Sequence, residues 1–146
     1  MKSGVAVALA ALGFLMAGAA VGADDPVATR QQLMKENNAA AKAVFGMVKG
    51  RTPFDAAAAA AALNEIATGM ATFPSLFPPG SDQAPKTTAS PDILANMDDF
   101  KALAAKLAAD AKTAADSSAT GLDTLATAFD TVDHDCFACH QKYRTQ

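Results

Sequence analysis

Apolar side chains near the C-terminus recur at Leu122, Leu125, Phe129, Val132, Cys136, Cys139 and Tyr143, in steps of three and four residues. That spacing is the period of an α-helix with one face turned to a core. A second series with the same steps runs through Val27, Arg30, Met34, Asn37, Ala41, Val44 and Val48. Nowhere does the chain sustain the alternation of a half-buried strand. Alanine is abundant and β-branched residues are few, so propensity agrees with period.

Proline and glycine divide the pattern into four helices. The first starts at Pro26, in the first-turn position proline favours, and ends near Gly50. Thr52-Pro53-Phe54-Asp55 reads as an N-cap, a first-turn proline and an early acid, opening a second helix through about Met70. Residues 73–90 carry four prolines and form a long connection. Ser90-Pro91-Asp92 repeats the capping signature and opens a third helix reaching about Asp116, and the fourth follows residues 116–121. Two short connections and one long one predict an all-α, antiparallel four-helix bundle, a fold that builds cofactor sites between facing helices. The seven alanines at 56–62 make a face of small side chains, open to close approach by a neighbouring helix or a second subunit.

The N-terminus is patterned differently. Lys2, an uncharged apolar run over residues 4–21 and the small triplet Val21-Gly22-Ala23 have the layout of a cleaved export signal. The run is short and diluted by Gly and Ala for a membrane span. The expected organisation is a signal over 1–23 and one domain over 24–146, leaving 123 residues of the 146 in the exported chain. With Lys2 removed, 11 basic residues face 15 acidic ones, a net charge of −4. That balance excludes the basic surface that nucleic acid requires. No second long apolar run follows, so no membrane insertion of the mature chain is expected. The carboxylates read as a solubilising surface on solvent-facing helix positions.

The chemistry concentrates in Cys136, Cys139 and His140, which include both cysteines of the chain. Both cysteines belong to the inward stripe, and His140, four residues after Cys136, lies on the same side. Export favours disulfides, but a bridge between residues three apart in a helix is strained and closes little loop entropy. A thioredoxin-like pair needs a βαβ setting, and a zinc site needs more soft ligands. Cys-x-x-Cys-His is the attachment motif of c-type haem. Two thiols one turn apart can add to the two vinyl groups, and the adjacent imidazole can ligate iron. His134, flanked by Asp133 and Asp135, faces solvent and has no assigned role. On the first helix, Arg30 at an inward position needs a partner, and a haem propionate supplies two oxygens. Met34, one turn on, offers a thioether to the distal face as ligand or lining. The plainer reading has Met34 filling the core and Arg30 reaching out to solvent.

With the motif at the C-terminal end, "CFACHQKYR", the chain resembles the cytochrome c′ family, the class II c-type cytochromes. "RQQLMK" at 30–35 resembles the first-helix motif, "FPSLFPPGS" the loop after helix 2, and "SPDILANMDDF" the start of helix 3. The resemblance spans the mature chain and implies one haem c. It also implies thioethers at Cys136 and Cys139, proximal ligand His140, and often a homodimer through helices 1 and 2. Arg30 and Gln31 match a pair that contacts a propionate, Arg144 a basic residue beside the proximal pocket, and Thr88 a loop position near the haem edge. Many members carry a non-ligating residue where Met34 stands and bind nitric oxide or carbon monoxide at five-coordinate iron. Low-spin relatives carry methionine there as sixth ligand, and "LMKEN" looks more like theirs. Leu94 stands where relatives commonly carry tryptophan. The expected function is therefore a periplasmic one-electron carrier serving redox partner proteins, with His140 and Met34 on the iron. A diatomic-gas binder is the alternative. No acid, base or nucleophile constellation stands beside the motif, so no enzyme is expected.

Overall fold

The computed structural model describes residues 25–145. The expected signal, residues 1–23, lies outside them. Helix α1 spans Pro26–Val48, α2 Ala56–Thr72, the single turn α3 Asp92–Ala95, α4 Met97–Ser117 and α5 Leu122–Tyr143. The four long helices form an antiparallel bundle. Helix α2 packs against both α1 and α4, α4 packs against α5, and α5 closes back on α1.

Local chemistry sets the helix starts. The Asp25 carboxylate accepts the backbone N–H of Val27 at 2.9 Å and of Ala28 at 3.3 Å, with Pro26 in the first position. The second start differs from the sequence expectation. Asp55, not Thr52, is the N-cap, its carboxylate accepting the Ala58 N–H at 2.9 Å. Thr52 is instead tied to the end of α1, its N–H donating to the Gly46 carbonyl at 3.2 Å. Pro53 therefore precedes the helix rather than opening it.

The third expected helix is interrupted. Ser90 does accept the Asp92 N–H on its hydroxyl at 3.1 Å, but Pro91 is the N-cap and the helix that follows is only the turn α3. At Asn96 the backbone leaves helical geometry (φ −128°, ψ 40°), and its side-chain amide donates to the Asp92 carbonyl at 2.9 Å. Helix α4 restarts at Met97. Asparagine suits such a break because its amide satisfies a carbonyl the interrupted ladder leaves free.

The core is driest between α2 and α4. Ala59, Leu63, Ile66, Phe100, Ala104, Ala111 and Ala114 are essentially without exposure. Alanine on both helices lets the backbones approach, as the 56–62 run suggested. Helices α1 and α2 also cross closely, since a β-carbon built on Gly69 would lie 3.3 Å from both Leu33 Cδ2 and Asn37 Oδ1. Phe73, Phe77, Phe100 and Tyr143 close the end of the bundle that carries the long connection, with centroids 4.9–5.9 Å apart in edge-to-face or tilted contact. Among the described residues no helix is long and apolar enough to cross a membrane.

Candidate functional site

The last three turns of α5 bring Cys136, Cys139 and Tyr143 to the core side. Both cysteines are free and half-buried, and they pack against the same core as Leu33 and Met34 of α1. Burial, then the Asp133 and Asp135 charges, pushes the Cys136 thiol up to about 11. Burial, then Asp99, also raises the Cys139 thiol. These are protonated thiols rather than the activated thiolates of a redox pair or a zinc site. His140 sits at the exposed rim of the same turn. Partial burial of its ring, then the Arg144 cation, lowers its pKa and favours the neutral imidazole, the form that binds metals. His134 is exposed, as its position predicts.

On α1, Arg30 is 4% exposed, an unusual depth for a guanidinium. Its partners come from the long connection. Nη1 donates to the Leu76 carbonyl at 3.2 Å and the Ser81 hydroxyl at 3.1 Å. Nη2 donates to the Ser81 carbonyl at 2.8 Å and the Thr87 hydroxyl at 2.6 Å. The guanidinium also lies 4.5 Å from the Phe77 ring centroid. Desolvation lowers its pKa, partly offset by Asp25 and Asp82. Gln31 adds a bond from Nε2 to the Lys86 carbonyl at 2.8 Å. Arg30 and Gln31 thus pin the connection to α1.

The connection is in turn tied to α5. The Tyr143 carbonyl accepts the Ser90 N–H at 2.9 Å, the Thr88 carbonyl accepts the Thr145 N–H at 2.8 Å, and Ala89 pairs with Arg144. Thr88 and Arg144 are exposed neighbours on this seam. Tyr143 donates its hydroxyl to Asp99 at 2.6 Å, and Lys142 reaches the same oxygen at 2.8 Å. The candidate residues on α1 and α5 are therefore linked through one hydrogen-bonded connection. Met34 is half-buried on the face of α1 that packs against the core.

One residue departs from the sequence reading. Asp135 was expected at a solvent-facing position, yet it is 7% exposed. Lys106 of α4 donates to both its oxygens, at 2.7 and 2.8 Å, and to Asp110 at 2.7 Å. The Lys106–Asp110 spacing of four was visible in the sequence. The long-range bond from Lys106 to Asp135 was not.

Residues 25–144 match the family model described as cytochrome C'. The chain belongs to the cytochrome c′ family. It is 41% identical over 144 residues to cytochrome c-556 of Agrobacterium fabrum, covering 99% of this chain and 97% of that one. It is 34% identical over 138 residues to cytochrome c' of Rhodopseudomonas palustris, covering 94% of each. The solved structure of cytochrome c' from Rhodopseudomonas palustris superposes with a TM-score of 0.80 at 31% identity, over 85% of this chain and 98% of that one. The NMR-validated structural model of oxidized cytochrome c556 from Rhodopseudomonas palustris gives 0.75 at 29% identity, over 85% and 98%.

Cytochrome c′ family proteins bind a covalent haem c with its iron. The donor set of this cytochrome fits that group. Two protonated thiols one turn apart face the core, a neutral imidazole follows directly, a soft thioether stands on the packed face of α1, and a buried cation lies one turn from it.

Proposed function

We propose that this protein is an exported, periplasmic one-electron carrier whose haem c is tethered by Cys136 and Cys139, with His140 as proximal and Met34 as distal ligand. The bound group supplies the ferric–ferrous couple; the protein supplies ligands, charge and exclusion of water. The observation that carries the reading is the placement of Met34. Its side chain is half-buried against the core that Cys136 and Cys139 also pack on, and α1 and α5 are in contact, which supports a thioether from α1 facing the group tethered on α5. Tethers at Cys136 and Cys139 would hold α5 against the group, and burial, then the Arg144 cation, favours the neutral His140 imidazole that ligates metals. A thioether ligand favours the reduced state and fixes the coordination sphere through the redox cycle.

Arg30 contributes a buried positive charge on α1 that favours the propionates through its field, while its terminal N–H groups and the Gln31 amide hold the connection beside them. Thr88 and Arg144 stand on the rim where the connection meets the end of α5. The expected partners are redox proteins of the periplasm, and the exposed faces of α1 and α2 are the expected surface for a homodimer.

The visible spectrum of the ferrous protein tests the ligand set. A sharp low-spin α band that broadens to a high-spin form in Met34→Leu supports it. A broad spectrum in the native protein, with rapid carbon monoxide uptake, overturns it in favour of gas binding at an open iron. A mass equal to bare polypeptide overturns the tethers at Cys136 and Cys139.

A further inference from the structure

Asp135 is the buried carboxylate that the ligand set does not use. It directly precedes Cys136 in α5, and its side chain turns toward α4 rather than to solvent. A carboxylate at 7% exposure carries a large desolvation cost unless a cation and hydrogen bonds compensate. Lys106 supplies both, with one ammonium shared between Asp135 and Asp110. One positive and two negative charges leave the cluster at a net −1. Water screens it unevenly, because the Lys106 side chain is 54% exposed and the Asp110 side chain 30%, against 8% for Asp135. The least screened charge is thus the negative one adjoining Cys136. Burial and the exposed Asp133 raise the Cys136 thiol most, and the Asp135 field reaches the same sulfur and adds to them.

We propose that the Lys106–Asp135–Asp110 cluster sets the reduction potential of the haem, the Asp135 carboxylate beside the first tether favouring the ferric state. The inference rests on the attachment and one-electron role proposed above. Reduction takes one electron from an external one-electron donor, and no bond forms or breaks. Positive charge at the iron centre falls by one, so a nearby anion opposes reduction and a nearby cation assists it. Asp135 and Lys106 are here positioning residues that act through charge, without touching the iron.

Substitutions that change this charge in opposite senses separate the idea from a merely structural tie between α4 and α5. Asp135→Asn brings the cluster to zero, Lys106→Met brings it to −2, and the double variant returns it to −1. The midpoint is measured by mediated spectroelectrochemical titration of the purified holoprotein. Asp135→Asn is expected to raise the reduced-to-oxidised ratio at fixed potential about threefold, the size expected of one charge in a partly screened medium. That corresponds to about 28 mV at 59 mV per tenfold. Lys106→Met is expected to lower the midpoint, and the double variant to return toward the native value. Shifts of the same sign, or no shift in either single variant, overturn the proposal. If Asp135→Asn does not accumulate as holoprotein, Lys106→Met decides the sign alone: a lower midpoint supports the proposal and an unchanged or higher one overturns it. A native protein that carries no haem, or shows no reversible one-electron titration, sinks the underlying functional reading instead.

Discussion

At the residue scale the best-determined position is Arg30. The sequence shows an arginine on an otherwise inward stripe and asks for a partner. It does not show that Leu76, Ser81 and Thr87, between 46 and 57 residues away, supply four acceptors. Their approach depends on how the connection folds, and no local pattern encodes it. The planar fork of arginine suits this arrangement, with two acceptors on each terminal nitrogen and a phenyl ring beside the plane. A lysine keeps the charge but cannot meet four acceptors at once. Arg30→Lys is therefore expected to cost about 2–3 kcal/mol, the scale of losing charged hydrogen bonds to buried acceptors. Urea unfolding of native and variant proteins measures it. A change within a few tenths would mean that the guanidinium does not hold the connection. Asp135 gives the converse lesson. It lies off the inward stripe, beside the exposed His134, and reads as surface; the ammonium of Lys106, 29 residues away, makes its burial tolerable.

At the element scale, α1 and α5 were legible because each buries one stripe and leaves the rest to solvent, which writes the helical period into the sequence. Helix α2 was legible as an element, but its start was not. Thr52-Pro53 and Asp55 are both good opening signals, and the choice between them is tertiary. Thr52 is drawn into the turn by the Gly46 carbonyl, which leaves Asp55 to cap. The break at Asn96 was missed for a related reason. "DILANMDDF" is as helical in pattern before the break as after it, and the kink appears only once α4 must pack on α2 and α5. Gly69 carries no distinguishing signal in the sequence. In the fold it lies directly against Leu33 and Asn37 of α1. Gly69→Ala would gain helix propensity of just under 1 kcal/mol against contacts of 3.3 Å that Leu33 and Asn37 must relieve. Gly69→Val adds two further carbons to a space already filled. It is expected to destabilise by about 1–3 kcal/mol, as overpacking does. A thermal midpoint equal to that of the native protein would show that α1 can move aside freely.

At the scale of the whole molecule, burial is uneven around the bundle. The α2–α4 seam is filled by residues of nearly zero exposure, among them Ala59, Leu63, Phe100 and Ala111. The side formed by α1 and α5 combines fully buried Val44, Leu125 and Val132 with half-buried Leu33, Met34, Ala41 and Val48 on one helix and Cys136 and Cys139 on the other. That difference matches a bundle in which one seam packs on its own and the other receives a group held by both of its helices. It also follows that the polypeptide has a core without the group. Cys136→Ser with Cys139→Ser removes the proposed tethers while changing little volume. The double variant is expected to keep most of its helical circular dichroism and to lose thermal stability, because a ligand bound only to the folded state no longer contributes. Amide hydrogen exchange should then lose protection first in α1 and α5, while α2 and α4 stay protected longest. Uniform loss of protection across the four helices would mean that the bundle opens as one unit, and that the α2–α4 seam is not the part that stands alone. Loss of all helical signal would go further, making the tethered group part of the folding nucleus rather than a passenger on a preformed bundle.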